Sequence, residues 1–333
     1  MKIIVLTDKK SKGLRYMSDA VMLAALEKQV SCEPMDISDQ VIDAAKVSSP
    51  DYIDRIADLM AEEKADVVLC TGINAMKLMT RIRHREGCTV LTYGVFSDYT
   101  CSPSLQAIDM DFYFVPHEDI KRRLLEQGMS EERVFVTGIP VKKNFREHIG
   151  KAAARNYLVI PKSRRIYLLI ADGLTPDTIL RLCEELAVAE TEDYVLYIPT
   201  ARSSPIRDKL VQYSGKDAHV RIITYTKQLH LYIESADAML LKPDTLTSTE
   251  AAVAGVPIVH LCLNEKADTF DFFASHEMAV IGKSIRDTIR KAQRFVEEKA
   301  MAARVIQMQY RNIYADAAEK IIDIILGKRK TTT

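Results

Sequence analysis

Short apolar runs alternate along the chain with longer amphipathic stretches. Residues 2–7 (KIIVLT) predict a first buried strand, and 16–29 a helix whose Met17, Val21, Leu23, Ala24 and Leu26 form one apolar stripe. Residues 51–64 predict a helix, 66–71 (DVVLCT) a strand ending at Gly72, and 73–85 a helix. Strands follow at 88–93 and 111–115, then a helix at 117–128 closed by Gly128, and a strand at 133–137 before Gly138 and Pro140. The pattern then restarts. Strands are predicted at 166–170, 193–198, 220–224, 238–241 and 257–262, helices at 175–187, 227–235 and 247–254, and a long helical tail over roughly 284–326. Strand, helix, strand repeated in this way predicts parallel sheets with helices on both faces.

The two runs are separated near 145–163, where Lys142 to Arg165 is basic, polar and broken by Pro161. This divides the chain into an N-terminal Rossmann-like domain, 1–145, and a C-terminal one, 146–326, with 327–333 a solvated basic tail. At 333 residues two domains are the natural expectation. Open parallel sheets bind ligands at the carboxyl ends of their strands, so the expected fold is α/β with two Rossmann-like sheets facing across a cleft.

Hydrophobic residues make up 47% and charged residues 28%, an ordinary globular balance, and the formal net charge of +0 leaves no global field to attract nucleic acid. No run approaches the roughly 18 apolar residues of a transmembrane helix. The N-terminal apolar run is too short for a signal peptide. Six cysteines lie far apart without a C-x-x-C pair, which predicts reduced thiols, a cytoplasmic setting, and neither a disulfide framework nor a metal site.

Residues 237–261 (DAMLLKPDTLTSTEAAVAGVPIVHL) carry the most chemistry. A buried strand ends at Lys242, a tight turn follows at Pro243-Asp244-Thr245, and a helix is expected from about Thr247 to Gly255. Thr247 or Thr245 is the expected N-cap, and Glu250, three residues after Thr247, completes a capping box. The first-turn N–H groups of such a helix form an anion site. Two readings stay open on local chemistry: a well-capped strand–turn–helix in which Glu250 holds its own helix, or a site for a negatively charged ligand.

The segment resembles the K-P-G-G-hydrophobic-T-x-T-E-A signature of glycolipid-forming glycosyltransferases, the diacylglycerol glucosyltransferases and monogalactosyldiacylglycerol synthases, relatives of the peptidoglycan lipid-intermediate N-acetylglucosaminyltransferase. Lys242, Pro243, Thr247, Thr249, Glu250 and Ala251 match in register. A second stretch, 92–141, is similar to the family's T-D-Y-x-x-H-P block, its aspartate-aromatic strand and its V-T-G-I-P-V hinge entry, at Asp98, Tyr99, Pro103, Asp109, Tyr113, Val115, Gly128, Thr137, Gly138, Ile139 and Pro140. The resemblance implies a GT-B fold and sugar transfer from a UDP-sugar to a lipid such as diacylglycerol by direct displacement, with no separate cofactor. It assigns ribose to Glu250 and diphosphate to the Thr245–Thr249 segment, including Thr247, while Lys242 reads either as a group that neutralises phosphate or as a strand-end salt bridge. It sets Tyr225 against uracil, and Asn264 and Glu265 beside the donor sugar. Asp98 reads either as the base for the acceptor hydroxyl or as the residue of an Asx turn or N-cap.

The departures concentrate in ligand loops. The family's first glycine-rich loop, with its histidine, is here Ser11-Lys12-Gly13-Leu14, and its diphosphate glycine pair is Asp244-Thr245. The loop after the first C-terminal strand is Ala171-Asp172-Gly173, and the sugar-binding G-Q-E is Asn264-Glu265-Lys266. These changes keep two alternatives in play: a non-catalytic relative that binds a nucleotide or a partner, and a nucleotide-sugar epimerase of the same architecture. For a lipid acceptor, the helix at 75–85 sets Ala75, Leu78, Met79 and Ile82 against Lys77, Arg81, Arg83 and Arg85, with Lys121-Arg122-Arg123 nearby in sequence. That pattern reads either as a peripheral contact with an anionic membrane surface or as a core-facing stripe with a solvated basic face.

Overall fold

The computed structural model describes residues 1–38, 50–84, 89–101, 103–201, 204, 206–215, 217, 219–224, 228–263 and 268–332. The chain divides into two compact units, one of residues 1–143 with 314–333, the other of residues 144–313. Each unit holds a six-stranded sheet, and every strand pairing found is parallel.

In the first unit the sheet runs β2 (Ser31–Asp36), β1 (Lys2–Thr7), β3 (Val67–Thr71), β4 (Leu91–Val95), β5 (Phe112–Val115), β6 (Val134–Val136). Its inner strands are continuous apolar runs because helices cover both faces. Strand β2 is the exception. Its sequence, SCEPMD, is polar and contains Pro34, and it lies at the sheet edge beside β1 alone, where a missing N–H is tolerated. The apolar-run criterion therefore passes over it.

Helix α1 (Lys12–Glu27), α2 (Pro50–Glu62), α3 (Ile73–Arg83) and α4 (Glu118–Glu126) complete the crossovers. Ala75, Leu78, Met79 and Ile82 of α3 are buried in the core with Leu6, Val68, Cys70 and Tyr113. The apolar stripe that suggested a membrane-facing helix is thus committed to the interior. Arg83 pairs with Asp109 and Asp111, Lys121 with Glu131, and Arg122 with Asp119. Three of these cations, Arg83, Lys121 and Arg122, are therefore balanced within the unit. His117 caps α4, its Nδ1 accepting from Asp119 N at 3.2 Å.

After the short helices α5 (Lys143–Arg146) and α6 (Lys151–Tyr157), the second unit builds its sheet in the order β12 (Val280–Gly282), β11 (Ile258–Leu261), β10 (Ala238–Leu241), β7 (Arg165–Ile170), β8 (Tyr194–Thr200), β9 (Val220–Thr224). The crossover helices are α7 (Pro176–Ala189), α8 (Arg207–Ser214), α9 (Leu229–Ser235), α10 (Thr245–Val253) and α11 (Asp268–Ser275). The expected helical tail resolves into α12 (Ile285–Glu297), α13 (Lys299–Asn312) and α14 (Ala317–Thr332). Helix α14 belongs to the first unit, not to the C-terminal domain the sequence pattern assigned it to, and its helical backbone runs through most of the segment expected as a tail. Ala317, Ala318, Ile321, Ile322 and Ile325 are buried, and the helix packs on α1. Gly138 has φ +95°, and a Cβ there would lie 2.9 Å from Tyr314 Cβ, so the hinge-entry glycine admits the chain at the start of α14.

A buried charge network ties α6 to the second sheet. Asp237 Oδ2 accepts from Arg155 Nη2 at 2.7 Å and from Ile166 N at 2.8 Å, and its Oδ1 accepts from Lys151 Nζ at 3.2 Å. Burial pushes the Asp237 carboxyl up, but the Lys151 charge, the Ile166 N–H and Arg155 outweigh it and hold the group below its ordinary value. A depressed carboxyl stabilises the fold above its unfolded pKa of about 3.9, and that contribution is lost as pH falls through the lower folded value. Asp237→Ala, which strands the Arg155 guanidinium, is expected to cost about 3–5 kcal/mol in urea unfolding at pH 7. Asp237→Asn is expected to abolish the part of the stability loss below about pH 4 that this group supplies.

Candidate functional site

The second sheet begins at β7, proceeds to β8 and β9 on one side, then crosses to β10, β11 and β12 on the other. Its switch point therefore lies between β7 and β10, where Ile170 and Leu241 pair as the last residues of their strands. Loops leaving two such strands diverge and open a crevice for a ligand. The loop after β10 is Lys242-Pro243-Asp244, which leads into α10, and the loop after β7 is Ala171-Asp172-Gly173. Gly173 has φ +75°, and a Cβ there would approach Lys242 Cδ to 3.2 Å, so the two loops meet at this glycine and the lysine stem.

Helix α10 starts at Thr245, earlier than the sequence pattern suggested, because Asp244 is its N-cap: Asp244 Oδ2 accepts from Thr247 N at 2.7 Å. The expected capping box between Thr247 and Glu250 does not form. Thr247 sits inside the first turn, and Glu250 falls in the second turn, 5% exposed. The Thr249 hydroxyl donates to Thr245 O at 2.6 Å, within the helix itself. The turn that was expected to present bare amides thus has one of them held by a carboxylate.

The helix is locked from behind. Leu246 and every residue from Ser248 to Val253 are buried. Ser248 Oγ lies 2.9 Å from His260 Nε2, and His260, fully buried on β11 and in register with Leu241, packs edge-on against Phe273. Burial lowers the His260 pKa to about 3, so the ring is neutral over the physiological range. Neither Ser248 nor His260 figured among the candidate residues. A histidine inside the apolar run PIVHL needs a buried partner, and that requirement was the available signal.

Of the sequence-derived candidates, Lys242, Thr245, Thr247, Thr249 and Glu250 fall together on this turn and helix. Asp98 follows β4 in the first unit and is half-buried. Tyr225, Asn264 and Glu265 lie outside the described residues.

Two Rossmann-like units of this kind define a GT-B protein, the class shared by nucleotide-sugar glycosyltransferases and UDP-N-acetylglucosamine epimerases. Residues 109–326, more than half of the chain, match the family model described as UDP-N-acetylglucosamine 2-epimerase, and the chain belongs to that family. Residues 35–141 match the model of monogalactosyldiacylglycerol (MGDG) synthase. A processive diacylglycerol beta-glucosyltransferase from Bacillus licheniformis is 27% identical over 209 residues, 62% of this chain and 53% of that protein, so the match spans about half of the relative's length. The Bacillus subtilis protein of the same name is 20% identical over 284 residues, 84% of this chain and 73% of the relative. Among solved structures, the UDP-GlcNAc 2-epimerase of Neisseria meningitidis bound to UDP-GlcNAc has a TM-score of 0.71 at 14% identity, covering 98% of this chain and 100% of that one. The S. aureus MnaA–UDP complex gives 0.71 at 16%, covering 98% and 96%. The MurG of Acinetobacter baumannii gives 0.65 at 11%, covering 98% and 99%. Among the described residues no helix is long and apolar enough to cross a membrane.

Asp244→Ala removes the cap of α10 and is expected to cost about 1 kcal/mol, lowering the thermal midpoint by about 2–4 °C in scanning calorimetry. The His260 ring resonances are expected to show no titration between pH 5 and 8 by NMR, since protonation requires pH near 3.

Proposed function

We propose that the protein is a glycosyltransferase that moves a sugar from a UDP-sugar to a lipid hydroxyl. The observation that carries this reading is the placement of Glu250: it lies on a locked helix beside the switch point of the second sheet, in register with the glutamate of the diacylglycerol glucosyltransferase signature. In this reading Glu250 takes the ribose hydroxyls, whose two O–H donors match a carboxylate's acceptors. Lys242 and the first turn of α10 meet the diphosphate, with Asp244 releasing Thr247 N–H as it binds.

The reaction is a direct displacement. Asp98 takes the proton of the acceptor hydroxyl, the acceptor oxygen bonds to the anomeric carbon, and the bond from that carbon to the diphosphate oxygen breaks. UDP leaves with the electron pair. Lys242 and the helix dipole offset the charge that develops on the leaving oxygen. Similarity to diacylglycerol glucosyltransferases supports a lipid acceptor, which requires work at a membrane surface.

A second reading rests on the extent of the epimerase match over residues 109–326. Inversion at C2 of UDP-N-acetylglucosamine in the absence of any acceptor would select it over transfer. For either reading, isothermal titration with UDP is expected to give saturable binding by the wild-type protein. Glu250→Ala is expected to weaken it by at least tenfold, about 1.4 kcal/mol. No heat from the wild type at millimolar UDP would remove the nucleotide site. Glucose transfer from UDP-glucose to diacylglycerol is expected for the wild type and is expected to fall at least a hundredfold in Asp98→Asn, the usual scale for loss of a general base.

A further inference from the structure

We propose that His260 is a positioning residue for Glu250: its bond to Ser248 fixes the rotation of α10 about its own axis, and with it the heading of the carboxylate; the proposal rests on the nucleotide reading above. Ser248 Oγ and His260 Nε2 lie 2.9 Å apart, and both side chains are fully buried. His260 stands on β11 beside Leu241, the last residue of β10, so the bond ties the helix to the strand next to the one it follows. Successive residues of a helix turn by about 100°, which puts Glu250 about 200° round from Ser248. The tether therefore grips one side of α10, and Glu250 leaves from the other.

Other holds on α10 are less directional. The Asp244 cap and the Thr249 bond to Thr245 O lie within the helix and its own cap, and they set its start and pitch. Its buried apolar side chains, Leu246, Ala251, Ala252 and Val253, are mostly small, and apolar contact has no preferred direction. A hydrogen bond has one. The residue type at 260 leads to the same conclusion. His260 lies between Val259 and Leu261 in a strand buried along its whole length, where a leucine would need no partner. A desolvated imidazole is costly there, and the bond to Ser248 offsets part of that cost.

The test is calorimetric titration with UDP of the wild type, His260→Leu, His260→Gln, Ser248→Ala, Glu250→Ala and the double variant of His260→Leu with Glu250→Ala. Leucine fills the position without a polar atom, whereas the glutamine amide extends towards the place of Nε2 and can bond Ser248. His260→Leu is expected to weaken UDP about five- to tenfold, by no more than Glu250→Ala does, with the binding stoichiometry unchanged. His260→Gln is expected to stay within about threefold of the wild type. Ser248→Ala breaks the same bond from the helix side and is expected to match His260→Leu, which keeps the test decisive if the leucine variant folds poorly. Because the effect passes through Glu250, the double variant is expected to bind UDP within about twofold of Glu250→Ala, in place of the two losses multiplied. Wild-type affinity in the tether variants overturns the proposal, as does a fall in stoichiometry at unchanged affinity, which marks a purely structural role. Multiplied losses in the double variant overturn the route through Glu250, and a glutamine variant as weak as the leucine one overturns the hydrogen bond as the cause; each leaves the nucleotide site standing. Absence of UDP binding by the wild type removes the nucleotide site and this proposal with it.

Discussion

The governing constraint in this molecule is that strands laid side by side in the same direction cannot be joined by tight turns. Each link must cross a face of the sheet as a helix, and so all strands of a sheet deliver their outgoing loops to one edge. In both units that edge is where the chain can vary without disturbing the core. The inner strands stay as closed apolar runs, and the changes in chemistry collect in short segments after β1, β7, β10 and β11.

Within the second unit, the exposed charge of Asp244 stands two residues from Leu246, the first buried position of its helix. Behind the turn, α10 is among the most enclosed helices of the chain, secured by a neutral serine–histidine pair that is indifferent to pH over the physiological range. At its mouth stand an exposed aspartate and a half-buried lysine. A substitution at the mouth changes electrostatics and, at Asp244, the cap of α10; one behind it moves the frame. The aspartate serves local stability as the cap of α10 and carries the exposed charge at its mouth.

Most of the architecture could be read from hydrophobic periodicity, because buried parallel strands are contiguous apolar runs and their helices carry a clear stripe. The strand β2 could not, since an edge position removes both the apolar requirement and the bar on proline. Helix α14 was recognisable as a helix, but an amphipathic stripe does not say which sheet it will cover. In the candidate site the strand and the turn were legible. The start of α10 was not: Asp244, read as a turn residue, is the cap, and that one shift moves Glu250 from a capping partner to the second turn. The basic stripe of α3 illustrates the converse, a pattern suited to a lipid surface whose apolar side is consumed by the core.

Because α14 completes the first unit, that unit is discontinuous: its last element is made only after the whole of the second unit has left the ribosome's active centre. At roughly 5–20 residues per second this delay is on the order of ten seconds or more. Through that interval α1 lacks the helix that packs on it, whose Ile321, Ile322 and Ile325 are buried in the finished protein. The order of synthesis, not only the final packing, therefore sets when the first unit can be completed.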